Sequence, residues 1–172
     1  MAEEIKLEDM KPEDMIDQAK VEAFIEQLKN GATLRDFHGL TDKQMEAFYS
    51  VAYNLYQSGK FEDSHQIFKL LCFYDHLELK YWMGLGACRQ MTQNYDGAVQ
   101  AYAQAAMLDI ENPQVPLHAA DCFLAMGRME EADSALTAAL HFSEGKPQYA
   151  AVRNRAEVMQ QLLNKDSGSE GE

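Results

Sequence analysis

Residues 79–112 read LKYWMGLGACRQMTQNYDGAVQAYAQAAMLDIEN, and a matching order of large, small and polar residues stands 34 positions before and 34 after. Aligning Phe48, Trp82 and Pro116 sets three blocks, 45–78, 79–112 and 113–146, without an insertion. Down the columns stand Val51, Leu85 and Ala119; Ala52, Gly86 and Ala120; Ser64, Ala98 and Ala132; Phe68, Tyr102 and Leu136; Leu71, Ala105 and Ala139. A fixed period kept this strictly marks an architecture in which each unit buries its apolar face against its neighbours.

The period of 34 is that of the tetratricopeptide repeat, a pair of antiparallel helices. The expected fold is therefore an all-α solenoid of three repeats. Residues of Ala or Gly size recur where the two helices cross, because only a small side chain lets the axes approach while larger neighbours fill the space. Gly84-Leu85-Gly86-Ala87 is read on the same ground as helix interior and not as a phosphate-binding loop. Gly59 and Gly127 fall at the turns of the first and third repeats, where a left-handed backbone suits glycine. The second repeat has Gln93-Asn94 there, and asparagine is the expected occupant of the left-handed position. Pro116 falls in a first helical turn, where proline is tolerated.

The flanks complete the array. Residues 1–44 are expected to form an N-terminal segment with one amphipathic helix carrying Met15, Ala19, Val21, Phe24, Ile25 and Leu28, stopped by Asn30-Gly31, and a short second helix over 33–38. Residues 147–165, with Ala151, Val152, Val158, Met159, Leu162 and Leu163 on one stripe, are expected to be the terminal capping helix that repeat arrays require. Residues 166–172 are expected to be a disordered acidic tail.

Hydrophobic residues make up 47% and charged residues 25%, the usage of a globular chain. Lys and Arg total 15 against 28 Asp and Glu, a net charge of −13, so a phosphate backbone or an anionic membrane surface would repel the chain and nucleic acid is disfavoured as a direct ligand. The chain holds no apolar run of membrane-spanning length, and its start, Met-Ala-Glu-Glu-Ile-Lys, lacks the features of a signal peptide; a cytosolic protein is expected. Cys72, Cys88 and Cys122 form no CxxC pair, which argues against a disulfide framework or a zinc site and for small buried side chains. No cofactor or metal is expected.

The first helix of each repeat lines the concave face of such an array. In the first repeat that helix carries Phe48, Val51, Ala52 and Leu55, assigned to the core, and a second stripe of Tyr49, Tyr53 and Tyr56 at i, i+4 and i+7. The same columns hold Met83, Ala87 and Gln90 in the second repeat and Leu117, Asp121 and Leu124 in the third. A groove aromatic at one end and mostly apolar along its length fits an extended peptide with apolar anchors, since tyrosine combines large area with a polar tip and methionine adapts its shape. Three anchors at roughly 1.5–3 kcal/mol each supply about 5–9 kcal/mol before ordering costs. A carboxylate clamp for an acidic C-terminal tail would need Lys, Arg and Asn in these columns; Lys80 and Arg89 are the only cations on the middle first helix.

An enzyme is not expected. His38, His65, His76, His118 and His141 are scattered, and no HExxH, GxSxG, GxGxxG or GKS/T motif occurs. Cys122 beside Asp121 and near His118 is the one grouping that resembles a nucleophile, but Cys88 and Cys122 share a repeat column, which packing explains. Glu62, Asp63, Glu130 and Glu131 stand at the starts of second helices, where negative charge meets the helix dipole.

Beyond the repeat, three runs are more specific: Leu70-Leu71-Cys72-Phe73-Tyr74-Asp75-His76, Tyr81 to Gln90, and Pro113 to Cys122. They resemble the class II chaperones of bacterial type III secretion systems, the SycD/LcrH kind, and Gly31-Ala32-Thr33-Leu34 is similar to that family's N-terminal segment. The resemblance implies a cytosolic bacterial chaperone, without enzymatic activity or nucleotide, that holds the two hydrophobic translocators, major and minor, before export. It implies that an extended segment of the translocator lies in the concave groove, against aromatic positions that match Tyr49, Tyr53 and Tyr56. It also implies a homodimer in the free state through the N-terminal helix, with Met15, Ala19, Phe24, Ile25 and Leu28 as the surface. Some members bind a transcription activator, so the rival reading is a regulatory scaffold acting chiefly on a transcription factor.

Overall fold

The structure, a computed structural model, describes the backbone of residues 18–169 and the side chains of 21–165. Met15 therefore lies outside the described residues, as do 170–172. The described chain is a run of helices: α1 Gln18–Lys29, α2 Leu34–Phe37, α3 Asp42–Gln57, α4 Phe61–Tyr74, α5 Leu79–Met91, α6 Tyr95–Leu108, α7 Gln114–Ala125, α8 Met129–Ser143 and α9 Ala150–Ser169. The pairs α3/α4, α5/α6 and α7/α8 fall within the three 34-residue blocks, and each helix packs on the next in sequence from α3 onward.

The three pairs turn in the same way. In each, the third residue beyond the first helix donates its N–H to a carbonyl five residues back: Lys60 to Leu55 at 2.9 Å, Asn94 to Arg89 at 2.8 Å and Arg128 to Phe123 at 2.9 Å. This is the Schellman closure, and it requires positive φ at the residue before the donor. Those residues are Gly59 (φ 78°), Gln93 (φ 62°) and Gly127 (φ 72°). In the second repeat it is thus Gln93, and not the expected Asn94, that takes the left-handed backbone. Asn94 instead begins α6, its Oδ1 accepting from the Gly97 N–H at 3.1 Å, the capping role in which asparagine is strongest.

Three clusters of buried side chains run along the solenoid, each bridging neighbouring pairs. The first joins Met45 and Ala52 of α3 to Phe68, Leu71 and Cys72 of α4 and to Tyr81, Leu85 and Cys88 of α5. The second joins α6 to Val115 and Cys122 of α7, and the third joins Leu117 and Ala120 of α7 to Leu136 and Ala139 of α8 and Ala156 of α9. Gly86 shows why the small column is small: a β-carbon there would lie 2.5 Å from the ring of Tyr102. Ser64 is fully buried in the equivalent column of α4, and its hydroxyl donates to the Ala52 carbonyl at 2.7 Å while accepting from the Cys88 thiol at 3.2 Å.

The N-terminal segment is attached differently. Arg35 of α2 pairs with Asp42 at the start of α3 and, at 3.1 Å, with the largely buried Asp75 beyond α4. Phe24 of α1 meets Phe37 of α2 with ring centres 4.4 Å apart. Because α1 does not lie along α3, Phe48 and Val51 remain about half exposed, at 45% and 50%, where the sequence assigns them to the core. They project to the side on which a preceding repeat would stand, and the first repeat has none.

At the other end Pro147–Tyr149 form a 3-10 turn and α9 starts at Ala150, three residues later than the sequence boundary of the cap. Proline supplies no N–H, so it leads into the helix and does not sit within its hydrogen-bonded body. The helix continues through residues 166–169, where the sequence places the start of the tail, because extending a nucleated helix needs only one more bond per residue.

Candidate functional site

The tyrosine stripe of α3 and the facing side of α5 enclose a concave groove of about 270 Å³. Tyr49, Tyr53 and Tyr56 line it from one side and Lys80, Met83 and Ala87 from the other, so six of the ten residues picked out for peptide binding come together. Tyr49 and Tyr56 are half-buried against the first core cluster, while Tyr53 is 47% exposed. Tyr49 stacks on Tyr53 (centres 6.2 Å, planes 23° apart) and meets Phe68 edge-on at 5.9 Å, so the aromatic wall is held in place before any ligand arrives.

Lys80 is fixed across the groove mouth. Its ammonium bonds Glu46 at 2.6 Å and lies 4.7 Å from the Tyr49 ring centre. The Glu46 hydrogen bond raises its pKa, so it stays charged, and burial pushes the Tyr49 phenol up, so it stays neutral. The groove thus offers rigid aromatic faces, neutral hydroxyl donors and a single lysine already held by a carboxylate. That arrangement is chemically suited to apolar side chains and peptide carbonyls, and among the described residues lining the groove Lys80 is the only cation, too few for a carboxylate clamp.

The other four positions stand elsewhere. Gln90 is turned away, its Oε1 accepting from the Tyr102 hydroxyl at 3.0 Å. Leu117 is buried in the third core cluster beside Ala156 of the capping helix. Asp121 accepts from Arg155 of α9 through both oxygens, at 2.7 and 2.8 Å, and Leu124 is half-buried outside the groove lining. The capping helix packs on α7 as another repeat would, and in doing so takes up the third repeat's columns. Period alone cannot show this, because the cap has no equivalent in the preceding blocks.

The structure also supplies lining residues that column reading misses: Phe68, Leu79, Gly84, Asn112 and Gln114. Phe68 belongs to a second helix and reaches the groove floor because Gly84 opposite has no side chain; a β-carbon there would fall 2.2 Å from the Phe68 ring. The pairing of a large residue in one column with glycine in another was the available signal. At the N-terminal end, Phe24, Ile25 and Leu28 of α1 are exposed at 37–43%, while Ala19 lies within α1 without a described side chain.

The grouping of Cys122, His118 and Asp121 lacks an activated nucleophile. Cys122 is fully buried and its thiol is pushed up to about 11; burial lowers the His118 pKa, and Asp121 is engaged by Arg155. Cys72 is likewise pushed up by burial to about 12. Among the described residues no cluster of His, Cys, Asp and Glu is placed to hold a metal ion, and no helix is long and apolar enough to cross a membrane.

Two family models described as tetratricopeptide repeat match residues 45–77 and 91–156. The low calcium response locus protein H of Yersinia pseudotuberculosis is 38% identical over 146 residues, 85% of each chain. The chain belongs to the LcrH/SycD family of type III secretion translocator chaperones. Among solved members, Yersinia enterocolitica SycD in complex with a peptide of the translocator YopD superposes with a TM-score of 0.72 at 38% identity, covering 74% of this chain and 98% of that one. PcrH in complex with the chaperone binding region of PopD gives 0.73 at 36% identity, covering 75% and 97%. The LcrH/SycD relationship thus spans the repeats and most of their flanks.

Proposed function

We propose that this chaperone holds an extended, apolar segment of its secretion system's translocator proteins in the groove between α3 and α5, and so keeps them soluble in the bacterial cytosol before export. The carrying observation is the convergence of Tyr49, Tyr53, Tyr56, Lys80, Met83 and Ala87 on one preformed apolar groove. A translocator segment exposed in the cytosol would aggregate or insert early. Covering its anchors with a body of net charge −13 hides the apolar surface and adds mutual repulsion between complexes. The complexes of SycD and PcrH with translocator segments support the choice of ligand. The proposed activity is binding, which the chaperone relatives support. The transcription-factor reading has no site of its own among these residues. The apolar edge of α1 formed by Phe24, Ile25 and Leu28 is the proposed homodimer surface.

The test is co-expression of the chaperone with its neighbouring translocator. Tyr49→Ala combined with Tyr53→Ala removes the stacked pair, with an expected loss of about 3–5 kcal/mol of binding, a hundredfold or more. The translocator should then move to the insoluble fraction while the variant stays folded by circular dichroism. An intact, equally soluble complex would remove the groove from the mechanism.

A further inference from the structure

A second cavity, of about 450 Å³, is lined by residues of α4 and α5 but by none of the three groove tyrosines. Gln66, Lys69, Leu70 and Phe73 contribute from α4 at i, i+3, i+4 and i+7, one face of that helix; Trp82 and Arg89 are among the residues that face them from α5. Leu70 and Phe73 are exposed at 44% and 62%, a high value for side chains this apolar.

Two cations line this cavity, Lys69 and Arg89. Arg35, Arg128, Arg153 and Arg155 each pair with a carboxylate, and Arg89 has no carboxylate partner among the described residues. Its Nη1 donates to the Gly97 carbonyl at 2.7 Å, but its Nε is shut from solvent with no acceptor, a state that costs free energy until one is found. Lys69 beside it also has no acidic partner among the ion pairs of the described residues. Among the described residues, neither cation lining this apolar cavity has a carboxylate partner. The complement is a ligand with an apolar body and a carboxylate. Membrane lipid fits poorly, since the net charge of −13 repels an anionic surface whatever two cations do.

We propose that this cavity is a second docking site, separate from the tyrosine groove, for a partner-protein segment that places a bulky apolar side chain against Phe73 and Trp82 and an Asp or Glu carboxylate on Arg89 and Lys69. A carboxylate is matched to the fork of a guanidinium, which binds it through two parallel hydrogen bonds.

Trp82 is the only tryptophan of the chain and lines the cavity, so its emission reports occupancy directly. The probes are two end-blocked peptides, Leu-Phe-Asp-Leu-Glu and its neutral counterpart Leu-Phe-Asn-Leu-Gln. The acidic probe should shift the emission saturably and bind at least tenfold more tightly than the neutral one. Arg89→Gln should bring the two within twofold of each other, Arg89→Lys should restore part of the difference, and Tyr53→Ala should change neither. Should Arg89→Gln fail to fold, Lys69→Gln on the exposed rim gives the same comparison. Equal binding of the two probes, no response from Trp82, or loss of the response in Tyr53→Ala would each overturn the site. So would an apparent affinity that falls as protein concentration rises, which would put a second copy of the chain in the cavity. Because the Trp82 readout and the Arg89 and Lys69 variants lie outside the groove, with Tyr53→Ala serving only as the groove control, this outcome is independent of the translocator experiment.

Discussion

At the scale of single residues the repeat tolerates substitutions that cost it stability. Gln93 stands where Gly59 and Gly127 stand in the neighbouring turns and takes the same left-handed backbone. For a residue with a β-carbon this conformation costs roughly 1–2 kcal/mol, part of which a glycine gives back through its freer unfolded chain. Gln93→Gly should therefore stabilise the protein by about 0.5–1 kcal/mol and raise its melting temperature by about 2 °C in a thermal scan. A fall in melting temperature would mean that the glutamine side chain makes a contribution that its exposed position conceals. His118 gives a pH dependence. Its ring stacks on buried Tyr102 with centres 5.5 Å apart, and burial, then Arg155, lowers its pKa against the opposing pull of Asp121. The unfolded chain, with a histidine near pKa ~6.5, then takes up a proton before the folded one does. Stability from this group is complete above ~6.5 and is lost as the pH falls from there toward the lower folded value. His65, lowered by burial and by Arg89 and Lys69, acts in the same direction. Urea unfolding at pH 7.5 and 5.5 should show the wild type losing more stability than His118→Gln; equal losses would exonerate His118.

At the scale of helices, what the sequence reveals is what repeats. The three helix pairs and the small residues at their crossings were legible because each recurs at 34 residues with a steric reason behind it, and the turns because Gly59 and Gly127 stand two periods apart. The groove was legible in its first two repeats, since Tyr49, Tyr53, Tyr56, Met83 and Ala87 project from consecutive first helices. What was not legible depends on the ends, where the period stops. Leu117 and Asp121 occupy the same columns as Tyr49 and Tyr53, yet the capping helix claims them through Ala156 and Arg155. Phe48 and Val51 look like core by column, but a core position on the first helix needs a neighbour that α1 does not provide. Phe68 at the groove floor follows from a glycine on the opposite helix, a pairwise fit between α4 and α5 that no single column displays.

At the scale of the whole molecule, a solenoid is a chain of neighbour contacts, and its stability varies along its length. The C-terminal end is closed by α9, which packs on both α7 and α8. Among the described residues the N-terminal end is less covered: α3 keeps Phe48 and Val51 half exposed, and the segment before it is tied to the repeats through Arg35 and His38. The groove lies at that weaker end, between the first and second repeats, so a bound translocator segment would bridge the helices most prone to open. Binding free energy adds to the opening cost of the helices that form the site and not of those that do not. Amide hydrogen exchange of the free protein should therefore be faster in α3 than in α6–α8. Adding the translocator's chaperone-binding peptide should slow exchange in α3 and α5 by tenfold or more, with α8 nearly unchanged. Uniform exchange along the free chain would show that the solenoid opens as a single unit. Protection confined to α7 and α8 would move the ligand away from the tyrosines altogether.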